Sequence, residues 1–175
     1  VNGDAGFDFE NAKRCVDAYS ISTGMNCIII GRHGETLYTA CGGRNLCMFC
    51  KIIANTECRR QTCANAHLYG SYQSERFGGK YVFFCPMGLI HWASPIVSGG
   101  VMKAAVLGGP VHMVDPDDFI IEEIMQKNDI NLDFCGDAKL YIKQVPVVKP
   151  DVVNSLSELL FITAVHISDI QPSRY

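Results

Sequence analysis

Tyr81-Val82-Phe83-Phe84-Cys85-Pro86-Met87-Gly88-Leu89 opens the stretch whose reading decides the fold. Ile90-His91-Trp92-Ala93-Ser94-Pro95-Ile96-Val97, Ser98-Gly99-Gly100 and Val101-Met102-Lys103-Ala104-Ala105-Val106-Leu107 carry it on to Gly108-Gly109-Pro110. Aromatic and β-branched residues fill the Tyr81–Cys85 run, which suits a strand. Leu89 to Val97 reads as a second strand interrupted by Pro95. Ser98-Gly99-Gly100 is a hairpin turn, and Val101–Leu107 a third strand that Gly108-Gly109-Pro110 stops. Strands joined by connections this short pair antiparallel.

Upstream, Ala12, Cys15, Val16 and Tyr19 recur at helical spacing within Phe9–Tyr19, and Thr23-Gly24 ends that helix. Cys27-Ile28-Ile29-Ile30 and Thr36-Leu37-Tyr38-Thr39 flank the turn Gly31-Arg32-His33-Gly34, giving a β-hairpin. Arg44 to Gln73 holds no Pro and only Gly70, and reads as short cysteine-rich helices. Downstream, Asp115 is placed to cap a helix whose first position is Pro116 and which runs to about Lys127. Tyr141 to Val148 reads as an extended segment or a connector. A last helix starts at Pro150 and runs to about Ile170. Val152, Leu156, Leu159, Thr163, Ile167 and Ile170 form its stripe, widened by Val153, Leu160 and Val165. The order predicts an α+β fold, one domain over residues 1–175, with an antiparallel sheet flanked by helices and a cysteine-rich helical insertion.

The chain has 175 residues, 48% apolar and 19% charged, which is globular in composition. Its net charge is −3, and its only adjacent basic pairs are Lys13-Arg14 and Arg59-Arg60, so no basic patch suited to nucleic acid is visible. No apolar run is long enough to span a bilayer. Val1-Asn2-Gly3-Asp4 lacks the basic and apolar regions of a signal peptide. Nine cysteines, an odd number, suit no secreted disulfide framework. A reducing, cytoplasmic setting is expected.

Those cysteines are the strongest chemical feature. Cys47-Met48-Phe49-Cys50 is a Cys-x-x-Cys, followed by Cys58, Cys63 and Cys85. Zinc or an iron–sulfur cluster takes several thiolates on one centre, so Cys50, Cys63 and Cys85, with Cys47 as fourth ligand, are the candidate metal set. Ordinary buried thiols are the competing reading. A thioredoxin-like exchange site at Cys47 and Cys50 would need alternating parallel βαβ units, and the chain has none. Tyr81, Phe83, Met87 and Trp92 are the candidate lining of an apolar ligand pocket. Strand alternation puts Tyr81, Phe83 and Cys85 on one face and Val82 and Phe84 on the other. His67 follows Cys63 by four residues and would share its helix face. A core or surface histidine is the commoner outcome. No nucleophile elbow or phosphate loop is present, and no enzyme activity is expected.

Cys85-Pro86-Met87-Gly88-Leu89, then Pro95-Ile96, then the Ser98-Gly99-Gly100 turn and a strand closing at Gly108-Gly109-Pro110, resemble the PocR sensory domain family. Phe49-Cys50, Cys63, Thr23-Gly24 and Val145-Pro146 before a helix with Leu159-Leu160 are similar too. Pro86 stands where the family often has His. The resemblance covers nearly the whole chain. It implies a variant of the PAS-like fold that senses simple hydrocarbon derivatives such as short diols. Such a domain precedes a helix-turn-helix module or a histidine kinase. A metal-based redox or gas sensor on the same scaffold is the alternative, and a thiol oxidoreductase the third reading. The broad apolar face of the last helix, together with the Cys15–Tyr19 region, predicts a homodimer.

Overall fold

The computed structural model describes residues 6–41, 50, 57–127 and 138–169. Helix α1 spans Phe9–Thr23. The Asp8 carboxylate caps it by accepting from Asn11 N at 2.9 Å, and Gly24, at φ 68°, closes it with an N–H donated to Ser20 O. Strands β1 (Cys27–Gly31) and β2 (Thr36–Ala40) form the expected hairpin. Helix α2 covers Glu57–Arg76 as one helix of 20 residues, where the sequence predicts several short ones; the rest of that predicted stretch, Cys50 apart, lies outside the described residues. Strands β3 (Tyr81–Phe84), β4 (Ile90–Ser98) and β5 (Val101–Val111) follow. Three helices complete the chain: α3 (Asp118–Lys127), α4 (Ala138–Ile142) and α5 (Pro150–Asp169).

The sheet has five strands in the order β2-β1-β5-β4-β3, and every pairing is antiparallel. This is the α+β, PAS-like arrangement expected, with helices on both faces. Three local expectations are corrected. Pro95 does not interrupt β4. Pairing with β3 ends at Tyr81↔Ala93, so at Pro95 β4 has a partner only on its β5 side, and the missing N–H costs no ladder bond on the open side. Nor does Gly108-Gly109-Pro110 stop β5, which continues through a cis Gly109–Pro110 bond to Val111. Gly108 is required there because an added Cβ would overlap the Trp92 indole on the neighbouring strand. Helix α3 is capped by Asp117, not Asp115: the Asp117 carboxylate accepts from Ile120 N at 2.8 Å and its carbonyl from Ile121 N.

The two faces of the sheet are packed differently. On one, α1 and α5 bury Ala12, Val16, Tyr19, Val153, Leu156, Leu160, Ala164 and Ile167 against Ile29, Ile90, Trp92, Ile96 and Val106. The buried stripe of α5 is thus rotated about one residue from the predicted one, and Val152 and Leu159 remain exposed. Trp92 is fully buried; its Nε1 donates to Tyr19 Oη at 2.9 Å, which donates to Leu156 O at 3.0 Å. The indole N–H and the phenol are both satisfied, as burial of such groups requires. No helix among the described residues is long and apolar enough to cross a membrane.

Candidate functional site

The other face lies under α2, whose inward side is polar for a buried surface. Gly70, Ser71 and Ser74 are buried there and His67 half-buried. The hydroxyls bond within the helix: Ser71 Oγ donates to His67 O at 2.9 Å and Ser74 Oγ to Ser71 O at 2.7 Å. A helix with little apolar stripe can therefore pack on a sheet without stranding its polar groups. The sheet side is aromatic and aliphatic, formed by Tyr81, Phe83, Ile28, Ile30, Ala93, Ala105 and Leu107.

Successive turns of α2 meet successive residues of β3 and β4. Cys63 packs on the same cluster as Cys85. His67 sits edge-on to His91, ring centroids 5.0 Å apart. Gly70 lies under Phe83, where an added Cβ would overlap the ring. Beyond the end of α2, Phe77 stacks on Tyr81 at 5.8 Å. The stack continues from Tyr81 to Phe83 at 6.2 Å and from Phe83 to His91 at 5.7 Å. One aromatic row thus runs along the sheet edge and ends in two imidazoles.

Burial holds both imidazoles neutral. It lowers His67 to about 4. Burial also pushes His91 well below the ordinary value, and the neighbouring His67 adds to this, against an opposing backbone hydrogen bond to Gly108. The ring partner of His67 is His91. A neutral imidazole carries one N–H donor and one acceptor nitrogen.

The four residues predicted to line a pocket do not converge. Tyr81 and Phe83 stack together on the α2 face. Met87 is buried at the end of the sheet with Cys85, Leu89, Ile121, Ile142 and Val145. Trp92 points to the opposite face, into the α1–α5 core. The register decides this: Phe83 pairs with His91 and Val82 with Trp92, so His91 takes the place beside Phe83. The sequence signal for His67 was its spacing from Cys63; His91 carried none until the strand register was known.

Cys50 and Cys63 both pack against the cluster that contains Cys85, so the three expected cysteines share one neighbourhood, while Cys47 lies outside the described residues. Among the described residues no group of three or more His, Cys, Asp or Glu side chains is placed to hold a metal ion. Burial raises the thiols of Cys15 and Cys27, the reverse of what activates a nucleophilic thiolate.

The cysteine cluster is tied to the last helix. His112, at the end of β5, donates its N–H to Pro146 O at 2.8 Å, accepts from Val148 N at 2.7 Å, and brings Nε2 to 3.1 Å from Ile142 O. Ile142 and Val145 belong to the cluster, and two residues after Val148 the chain enters α5. On the outside, α1 and α5 enclose a groove of about 440 Å³ lined by Cys15, Ala18, Ile162 and His166 among others.

No curated protein matches the chain. Among solved structures, a domain of a transcriptional regulator of the IclR family is similar at 15% identity and a TM-score of 0.49, covering 91% of this chain and 93% of that one. The family described as the sensory domain found in PocR matches residues 6–171, nearly the whole chain, and the chain belongs to that family.

Proposed function

We propose that the domain is the small-molecule sensor of a bacterial transcription regulator or histidine kinase, that it works in the cytoplasm, and that its ligand is a simple hydrocarbon derivative such as a short diol. It binds without catalysing a reaction. The observation that carries the reading is the α2 face of the sheet: an aromatic row ending in two neutral imidazoles, set beside the buried Met87 and Cys85. Aromatic walls suit a carbon skeleton, and a few polar groups among them orient it. Calorimetric titration with propane-1,2-diol and propane-1,3-diol tests it. Each has few heavy atoms, and even the best small ligands gain about 1.5 kcal/mol per atom, so the tightest Kd expected is a few micromolar, on the order of 10⁻⁶ M. Absence of heat with every short diol refutes this ligand class.

Output follows from the His112 tether. A ligand that repacks the cluster around Met87, Ile142 and Val145 acts on the segment leading into α5, and biases output by as much as it prefers one arrangement of that helix. A second copy of the chain is the occupant proposed for the α1–α5 groove, where Leu159 and Ile162 are exposed. A dimer by light scattering that becomes a monomer in Ile162→Asp supports this; a monomer throughout refutes it.

A metal-based sensor, with zinc or an iron–sulfur cluster on Cys50, Cys63 and Cys85 and Cys47 as fourth ligand, is the second reading. In its favour is the shared packing of those three cysteines on one cluster. Metal analysis of anaerobically purified protein tests it: stoichiometric zinc or iron supports the site, and protein free of both refutes it.

A further inference from the structure

We infer that α5 has two resting places on the sheet, one helical turn apart, and that Ser94 on β4 and Ser157 on α5 are the pair that holds the second. This rests on the sensor reading above and specifies the movement by which sensing reaches an output module.

Two hydroxyls carry the inference. Ser94 and Ser157 are buried, and neither Oγ has a hydrogen-bond partner among the described residues. Buried polar groups are nearly always bonded, and one that is not calls for an explanation. Both belong to one seam. β4 pairs with β5 without irregularity from Trp92 to Ile96, so Ser94 shares the face of those two residues, which pack under α1 and α5. Ser157 lies in the buried stripe of α5, four residues after Val153 and three before Leu160. The other three hydroxyls of α5 donate one turn back: Ser155 to Asp151 O, Thr163 to Leu159 O and Ser168 to Ala164 O. Ser157, the buried one of the four, does not.

Two contacts fix the present register. Tyr19 Oη, which accepts from Trp92 Nε1, donates to Leu156 O, and Val97 N donates to Ser168 Oγ. Helix and strand therefore run in the same direction. Counted from Trp92 and Leu156, at about 3.3 Å per strand residue and 1.5 Å per helix residue, Ser94 lies about 5 Å further along than Ser157. Counted back from Val97 and Ser168, the offset is about 7 Å. One helical turn is about 5.4 Å. An advance of α5 by one turn toward its C-terminus thus sets Ser157 over Ser94, where one hydroxyl donates and the other accepts. Val153, Leu156, Leu160, Ala164 and Ile167 recur at steps of three or four, so each moves toward the place of the next and the frame stays folded. Leu160 entering the place of Ala164 makes this the less populated position. The step also draws on the His112 tether, because Val148 N is bonded to His112 O two residues before α5. Repacking of the cluster beside that tether is what permits it.

The test is NMR relaxation dispersion on the chain, read at the Val97 amide and at the indole N–H of Trp92, the sole tryptophan. Helix register shifts exchange in microseconds to milliseconds. Exchange is expected at both sites. Ser168→Ala, which removes the anchor to Val97, should raise the population of the second position about tenfold, the effect of one buried hydrogen bond. Ser94→Ala and Ser157→Ala should each lower it by about the same factor, and the double variant by no more than either alone. In urea unfolding the two single variants should equal or exceed the parent, since each loses a hydroxyl that has no partner. Flat dispersion in both the parent and Ser168→Ala overturns the inference. So does exchange that Ser94→Ala and Ser157→Ala leave unchanged, and so does a loss of stability in both, which would mean that the hydroxyls are bonded where they stand. Propane-1,2-diol is then added to the parent. A changed population ties the movement to sensing; an unchanged one overturns that tie and the diol reading, and leaves the two positions standing.

Discussion

The sheet presents one face to α1 and α5 and the other to α2, and the two are built on different principles. The α1–α5 face is held by size: Trp92, Ile90, Ile96, Leu156, Leu160 and Ile167 interdigitate, and the Trp92 indole N–H and the Tyr19 hydroxyl are satisfied in one short chain that ends on Leu156 O. The α2 face is held by fit: Gly70 under Phe83, two serines bonded to their own helix, and a row of stacked rings. Apolar burial at about 25 cal/mol per Å² makes the first face the main source of stability. The second keeps a half-buried imidazole set edge-on to another. A sensor needs both: a frame that stays folded with and without ligand, and a face whose packing a small molecule can change.

The sharpest way to break this contrast is to delete one large ring from each face. Trp92→Ala is expected to cost about 4 kcal/mol, because it empties a fully enclosed indole site and removes the donor to Tyr19 Oη. Phe83→Ala, on the more permissive face, should cost about 1 kcal/mol less within the same range. Urea unfolding of both variants measures the difference, and equal losses would erase the distinction between frame and sensing face.

Acid should act on the α2 face first. His67 has a folded value of about 4, below the ordinary 6.5, so between the two the unfolded chain binds more protons. Stability is therefore full above about pH 6.5 and declines as pH falls toward 4, by about 2 kcal/mol for this half-buried ring. His91, also lowered, acts in the same direction. The buried cluster on the α1–α5 face contains no histidine. Hydrogen exchange at pH 5 should speed up in α2 before it does in α5; the opposite order would place the acid-labile element on the wrong face.

Gly70→Ala sets two local effects against each other. Alanine raises helix propensity by about 1 kcal/mol, while its Cβ overlaps the Phe83 ring and overpacks the seam by roughly 1–3 kcal/mol. A net loss of about 1 kcal/mol in chemical denaturation is expected; a gain would mean that α2 is free to move off the sheet. The smallest effect belongs to the exposed ion pair between Lys80 and Glu158, which joins the turn before β3 to α5. Lys80→Ala should change stability by less than about 0.5 kcal/mol. A larger loss would make this surface contact part of the frame.

Much of the fold is legible in the sequence because its signals act over a few residues. Gly24 is placed where a left-handed residue closes α1, Gly99-Gly100 where a two-residue turn joins β4 to β5, and Pro150 where a helix can start without an amide to satisfy. The errors come from the same signals read without their neighbours. Pro95 breaks a strand only if both sides of that strand are paired, and β3 is too short to pair there. Gly108 looks like a stop until Trp92 is set against it on the adjacent strand. Asp115 stands where a cap before Pro116 would be, but the helix starts later and the turn geometry uses Asp117.

What the sequence by itself determined about this protein is its elements and the antiparallel pairing of strands joined by short turns, since these follow from turn chemistry, alternation and helical spacing within single segments; its motifs added a resemblance to the family. Which side chains meet was decided only by the tertiary structure. Alternation along β3 correctly put Tyr81 and Phe83 on one face, but the partner on β4 depends on register, and a shift of one residue exchanges Trp92 for His91. That register is fixed by the Cys85–Leu89 turn and by the sheet's fit to α2 on one side and α5 on the other. It sent the tryptophan into the frame and brought two histidines, 24 positions apart by their numbering, edge to edge between α2 and β4.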